Sequence, residues 1–92
     1  MLLIEWTPAA KVDLLEILDY IAERNEQAAR GLYERIEKDL EHAAEHPYIF
    51  KSSQRVPGLR EIVTHPNYVI FYEVDTARIK VVNVVHARRE FP

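Results

Sequence analysis

Six basic side chains are the strongest candidates for chemistry in this sequence. All lie in the second half of the chain: Lys51, Arg55, Arg60, His86, Arg88 and Arg89. Arginine side chains suit phosphate and carboxylate partners equally well, because the guanidinium fork matches both in geometry. The set therefore predicts a surface that binds nucleic acid or an acidic partner. The alternative is that these charges protect an edge strand from pairing with another chain. Composition leaves both interpretations open.

The spacing of the last three basic residues predicts how they are presented. Successive side chains of a strand point to opposite faces of a sheet. If the last strand stays regular to its end, His86 and Arg88 lie on one side and Arg89 lies on the other.

Other site chemistries have little support. His42 and His46 are four residues apart, which is a spacing that can bind a metal on a helix, but no third ligand or HExxH pattern accompanies them. We interpret them as an exposed helix end and expect no metal and no cofactor. The chain has two glycines and no cysteine, which excludes glycine-rich phosphate loops and zinc–thiolate sites. A charge run is interpreted as a solvated helix face; it comprises Glu34, Glu37, Lys38 and Glu41.

Length and charge limit the function classes. The chain has 92 residues and a net charge of −3, which predicts one small domain over residues 1–92 without the basic surplus usual for proteins that bind phosphates broadly. Residues 5–45 are acidic, whereas residues 51–60 and 78–89 are basic, so a local basic patch can still form. The apolar N-terminus is too short for a signal peptide or a membrane span, so we expect a cytoplasmic protein with no membrane partner.

The first half of the chain predicts a strand followed by two helices. Residues 2–6 are strand-like, Thr7 can cap a helix, and Pro8 suits the first helical position. Asn25 can close this helix or cap the next one. Apolar residues at helical spacing mark one face of each helix: Leu14, Ile17, Leu18 and Ile21 in the first, and Ala29, Leu32, Tyr33, Ile36, Leu40 and Ala43 in the second. Pro47 ends the second helix, and the short connection predicts a helical hairpin.

The second half predicts an antiparallel meander after an irregular loop at residues 47–58. Residues 59–64, 68–74 and 79–86 are rich in β-branched and aromatic side chains, and turn signals separate them. Residues 68–72 (YVIFY) have almost no polar position, which predicts a central strand covered on both faces. We therefore predict an α+β fold of order β-α-α-β-β-β, with an antiparallel sheet packed against the N-terminal helical hairpin.

Four segments together resemble the RelE/ParE superfamily of toxins from type II toxin–antitoxin systems. They are residues 4–10 (IEWTPAA), 56–61 (VPGLRE), 66–72 (PNYVIFY) and 84–92 (VVHARREFP). The resemblance covers essentially the whole chain, and the order and spacing of the segments make it specific. It implies a toxin that arrests bacterial growth and is neutralised by a cognate antitoxin protein, with which it can form a hetero-oligomer.

The superfamily has two activities, and the resemblance bears on the choice between them. RelE-like members cut messenger RNA on the ribosome, whereas ParE-like members inhibit DNA gyrase and are not nucleases. Val69 falls where the nucleases carry a central-strand arginine, and Ile62 falls where they carry a lysine. Arg60 and Arg89 retain basic positions, but the nucleases' terminal tyrosine would lie beyond Pro92. These differences favour a ParE-like gyrase inhibitor.

Two further interpretations remain open. A ribosome-dependent endoribonuclease would use Arg60, His86 and Arg89 as catalytic residues. His65 is a further histidine that such a nuclease could use, but at a turn before proline it is more simply a surface residue. A degenerate member would keep only antitoxin binding or dimer formation. For an active toxin, we expect the six basic residues to contact the target.

Overall fold

The secondary structure follows the predicted order. A computed structural model describes residues 1–88. It contains β1 (Leu3–Trp6), α1 (Pro8–Ala22), α2 (Glu26–Glu45), β2 (Arg60–His65), β3 (Tyr68–Val74) and β4 (Arg78–His86). The predicted α+β class is confirmed, and the largest differences in element bounds are only a few residues at the helix ends.

Local side-chain signals begin both helices. The Thr7 hydroxyl accepts a hydrogen bond from the Ala10 amide at 3.1 Å, and proline occupies the first turn of α1. Asn25 serves both helices, because its amide donates to the Ile21 carbonyl of α1 at 2.8 Å and its side chain accepts from the Ala28 amide of α2 at 3.0 Å. Such caps satisfy amides that have no partner inside the helix. α2 ends at Glu45, directly before His46 and Pro47, as predicted.

The sheet is mixed rather than wholly antiparallel. Its strand order is β1-β4-β3-β2, and the last three strands form the predicted antiparallel meander. β1 pairs in parallel with β4, in a register that joins Leu3 to Arg78 and Trp6 to Val81. The helical hairpin makes this possible, because it carries the chain across the sheet between the first strand and the meander.

Strand β3 separates two hydrophobic cores, as the apolar segment at residues 68–72 predicts. Tyr68, Ile70 and Tyr72 join the main core against the helices. Val69 and Phe71 point to the opposite face, where a smaller core includes Leu59, Val85 and, at its margin, Val56, Val82 and Ala87. The loop before β2 covers this second face, so β3 is buried on both sides.

The predicted helix stripes are confirmed with one exception. In α2, Leu32, Ile36 and Leu40 are buried. Tyr33 is 40% exposed and borders a groove between the helices instead. None of the helices within residues 1–88 has the length and apolar composition needed to cross a membrane.

A bulge in β4 fixes helix α1 to the sheet. The pairing of β3 with β4 shifts by one residue between Phe71 and Tyr72. Beyond Val81, where the pairing with β1 ends, α1 and its cap supply the partners instead. The Thr7 hydroxyl donates to the Val82 carbonyl at 3.0 Å, and the Asp13 carboxylate accepts from the Asn83 side chain and the Val84 amide, each at 3.0 Å.

Candidate functional site

The predicted basic residues lie in three separate places. Arg60 begins β2, His86 ends β4, and Arg55 lies with Arg88 on the side of the sheet opposite the helices. Lys51 is exposed on the loop before β2 and lies beside Arg60, because the Lys51 carbonyl accepts a hydrogen bond from the Glu61 amide at 3.0 Å. Arg89 lies outside the described residues.

Arg60 fixes the loop that follows α2. Its guanidinium donates to the Phe50 carbonyl at 2.7 Å and lies over the Tyr48 ring, 4.8 Å from the ring centroid. Beside it, the Tyr72 hydroxyl donates to the Pro47 carbonyl at 2.8 Å. Burial raises the pKa of Tyr72 from 10.0 to about 12, and the charge of Arg60 offsets part of this rise. Arg60 thus already has partners within the fold.

Three rings meet at the other end of the sheet. The Tyr68 ring lies 5.7 Å from that of His65 and 5.5 Å from that of His86, measured between centroids. Sequence reasoning placed His65 in a surface turn, but the structure makes it the half-buried last residue of β2. The cross-strand register places Tyr68 opposite both histidines.

Backbone hydrogen bonds define the proton positions on both histidines. Nδ1 of His65 accepts from the Asn67 amide at 3.0 Å, and Nδ1 of His86 accepts from the Arg88 amide at 3.2 Å. An accepting Nδ1 carries no proton, so Nε2 carries the ring proton in the neutral imidazole. Both rings therefore present a donor, and neither offers a free basic nitrogen while its backbone hydrogen bond lasts.

The end of β4 differs from the predicted alternation. The strand stops at His86, and Ala87 and Arg88 form a turn, because the Arg88 amide bends back to the His86 ring. The predicted placement of Arg88 on the His86 side therefore does not apply. β1 pairs with β4 only from Arg78 to Val81, so the end of β4 at His86 lies beyond that pairing. Arg60 begins β2, which is an edge strand of the sheet. Edge protection therefore stays an alternative for these two residues.

Arg55 and Arg88 are brought close together by the loop before β2. The Arg55 guanidinium lies 3.5 Å from the Ala87 carbonyl. Ser53 holds this loop, since its hydroxyl donates to Glu61 at 2.7 Å and accepts from the Arg55 and Val56 amides. Both Ser53 and Glu61 are buried. Arg55 and Arg88 therefore form one basic patch of predicted target-binding residues on this side of the sheet.

Arg60 and His86 do not share a site. Arg60 pairs with Tyr72 and His86 pairs with Tyr68, four residues away on β3. That spacing is roughly 13 Å along the strand, and the two residues also lie on opposite sides of β3.

Val69 and Ile62, which stand where the related nucleases carry basic residues, are both buried. Val69 is 2% exposed in the smaller core, and Ile62 is 1% exposed in the main core. Each points into a packed face rather than into an open cleft.

Within residues 1–88, no cluster of three histidine, cysteine, aspartate or glutamate side chains is arranged to bind a metal. The His42 and His46 rings contact each other edge to face, with centroids 5.7 Å apart, and both residues are exposed, as predicted for a helix end.

An apolar groove on the surface was not predicted. It lies between α1, α2 and β1, with a volume of about 450 Å³. Its walls include Trp6, Leu14, Leu15, Leu18 and Tyr33. Leu15 is 61% exposed there, beside the residues that face the core. The signal was present in α1, where leucine occupies both position 14 and position 15 and so widens the apolar stripe.

Comparison with known proteins gives consistent results. The profile of the ParE toxin family, described as the ParE toxin of the type II toxin–antitoxin system parDE, matches residues 4–91. A protein named Toxin RelE2 from Caulobacter vibrioides is 34% identical over 84 residues, which cover 91% of this chain and 93% of that protein.

Two solved structures share the fold. A structure titled as a chromosomal ParDE TA system from P. aeruginosa matches with a TM-score of 0.77 at 19% identity, covering 94% of this chain and 96% of that one. A conserved hypothetical protein from Helicobacter pylori matches with a TM-score of 0.66 at 12% identity, covering 99% of this chain and 100% of that one.

Proposed function

The chain belongs to the ParE family, the toxins of type II toxin–antitoxin systems, and from that premise we propose that it arrests bacterial growth by inhibiting DNA gyrase. The family implies a cognate antitoxin as its partner. The proposal concerns the target of the toxin. Members of the superfamily act either on gyrase or on messenger RNA bound to the ribosome.

The observation that carries the proposal is the separation of Arg60 from His86. A nuclease needs its phosphate-binding and proton-transferring groups around one scissile bond. Here these two residues lie at opposite ends of β3, and Arg60 is engaged with Phe50 and Tyr48. A toxin that acts by binding alone has no such requirement.

The tautomer of His86 supports the same proposal. A general base must accept a proton, but the outward Nε2 of His86 already carries one while Nδ1 accepts from Arg88. Val69 adds to this, because a buried valine cannot supply the positive charge that stabilises a phosphorane-like transition state.

We propose that Arg55 and Arg88 form the center of the target-binding surface. Both arginines are exposed, and the Arg55 guanidinium lies by the Ala87 carbonyl at the margin of the smaller core. This separates the target surface from the apolar groove between the helices. Arg89 extends the same basic segment of the sequence.

A paired assay tests the target. Purified gyrase is incubated with plasmid and this protein, and messages from translating ribosomes are mapped by primer extension with the same preparation. We expect loss of supercoiling without cleavage within codons. Arg55→Glu with Arg88→Glu should abolish inhibition, whereas Lys38→Glu on the far side of α2 should not. Cleavage within codons with unaffected supercoiling would overturn the proposal.

The second candidate function is a ribosome-dependent endoribonuclease, which the likeness to a toxin named RelE2 keeps in view. It would use Arg60, His86 and Arg89. In the primer-extension assay, His86→Ala would then remove cleavage while leaving the fold intact.

We also propose that the antitoxin covers the apolar groove between α1, α2 and β1. Exposed apolar surface next to a core favours an amphipathic partner segment. Lys11, Glu37 and Glu41 line the groove with both signs of charge, which suits a segment with a mixed polar edge.

A further inference from the structure

A second cleft opens where the helical hairpin meets the turn between β2 and β3. It has a volume of about 530 Å³, within the range of small-molecule sites. Its lining comes from α1, α2 and the β2–β3 turn, and it shares no residue with the groove that faces β1. The cleft also lies on the helix side of the sheet, away from Arg55 and Arg88.

The polar side chains of this cleft are donors rather than carboxylates. Arg35, His65, Asn67, Tyr20 and Tyr68 line it, and no aspartate or glutamate is among the lining residues. This is notable in a chain with 15 acidic and 12 basic residues. The lining therefore favours an anion.

Three of these donors are available to a ligand. Within residues 1–88, Arg35 forms no ion pair, and the Tyr68 hydroxyl makes no side-chain hydrogen bond. His65 uses Nδ1 for the Asn67 amide, which leaves the Nε2 proton as its free donor. Because the three residues come from α2, β2 and β3, they approach the cleft from different directions, as a group with several acceptor oxygens requires.

The floor of the cleft is apolar and contains a glycine. Ile21 and Leu32 line it together with Ala28 and Gly31. Gly31 lies inside α2, where glycine costs roughly 1 kcal/mol of stability relative to alanine. A Cβ built at Gly31 would meet nothing within 4 Å, so the fold does not need this glycine for close packing. Its effect is to keep the space above the helix open.

An aromatic ring borders this space. Tyr20 is 57% exposed, and Arg24 lies over its ring at 4.2 Å from the centroid. A planar group can stack on the face of this ring that Arg24 does not cover.

We propose that this cleft binds a phosphate monoester carrying a planar aromatic group, of the nucleoside monophosphate class. The phosphate contacts Arg35, His65 Nε2 and the Tyr68 hydroxyl, and the aromatic group lies over Gly31 against Tyr20. The proposal is independent of the gyrase target, because it invokes neither the basic pair on the opposite face nor the antitoxin groove.

Binding of adenosine and guanosine monophosphates to the purified chain, followed by NMR of backbone amides, tests the proposal. We expect saturable shifts confined to Gly31, His65, Tyr68 and their neighbours. The free nucleosides and inorganic phosphate should each bind at least about tenfold more weakly, since charged hydrogen bonds contribute on that order. No saturable shift with either monophosphate, or equal binding of inorganic phosphate or the free nucleosides, would overturn the proposal.

Variants of α2 separate ligand binding from folding. Arg35→Gln should weaken binding at least about tenfold, whereas Arg30→Gln, an exposed arginine outside the cleft, should not. Gly31→Leu should block binding by filling the cleft, and Gly31→Ala should raise the melting temperature of the chain. If Arg35→Gln binds as well as Arg30→Gln does, the phosphate site is not where we place it.

Discussion

At the residue scale, Tyr72 makes the free energy of unfolding depend on pH in the alkaline range. Its pKa is raised from 10.0 to about 12 by burial, so the folded state favours the neutral phenol. This contribution is complete below pH 10.0, the unfolded value, and is lost as pH rises through about 12. We expect the free energy of unfolding to fall across that interval, and Tyr72→Phe should flatten the fall.

Denaturant titrations at several alkaline pH values measure this effect. At neutral pH, Tyr72→Phe should cost about 1 kcal/mol, because the Pro47 carbonyl loses its donor. The exposed Tyr20 is the matched control, and Tyr20→Phe should leave the alkaline slope unchanged. Equal slopes in the parent and in Tyr72→Phe would contradict this role for Tyr72.

A substitution at Val69 tests whether this position, where the related nucleases carry an arginine, is buried. Val69→Arg places a charge in the smaller core, where it has no partner, and should destabilise the chain by several kcal/mol. Val63 is its cross-strand neighbour and is 61% exposed, so Val63→Arg should change stability by only about 0.5 kcal/mol. Thermal unfolding compares the two, and equal melting temperatures would mean that residue 69 reaches solvent.

At the element scale, helix α1 depends on the β4 bulge for its position. Asp13 accepts two hydrogen bonds there, one of them from the Val84 amide. We expect Asp13→Ala to cost about 1 to 3 kcal/mol, because the buried amide loses its partner. Asp19→Ala, on an exposed part of the same helix, serves as the control. Urea unfolding measures both, and equal values would show that α1 is held by apolar packing alone.

At the scale of the whole molecule, toxicity and neutralisation should be separable on the surface. Expressed alone, the chain should arrest bacterial growth, and coexpression with its antitoxin should restore growth. Leu15→Glu should remain toxic but escape the antitoxin, because it places a charge in the apolar groove. Val12→Glu is the control, since Val12 is 53% exposed but lies outside the groove lining.

Colony counts, with each toxin variant induced alone and together with the antitoxin, measure toxicity and neutralisation separately. If Leu15→Glu is neutralised as well as Val12→Glu, the antitoxin binds elsewhere. Unimpaired growth with the parent chain alone, at confirmed expression, would instead favour the degenerate member that keeps binding without a target.

The sequence by itself predicted the elements and the family. The helix stripes repeat every three to four residues and the strands alternate every two, so both patterns lie within short windows. The caps at Thr7 and Asn25 and the two-sided burial of residues 68–72 are local in the same sense. Resemblance over the whole chain indicated a toxin of this superfamily, which the family profile confirms.

Only the tertiary structure decided how these elements are joined. The parallel pairing of β1 with β4 links Leu3 to Arg78, and the Asp13 carboxylate meets Val84 through the β4 bulge. Register between strands also placed Arg60 and His86 at opposite ends of β3, and it gathered His65, Tyr68 and Arg35 around one cleft. These outcomes depend on contacts between residues far apart in sequence. Local periodicity determines which face of a strand is buried, but it does not determine which strands pair or in which direction.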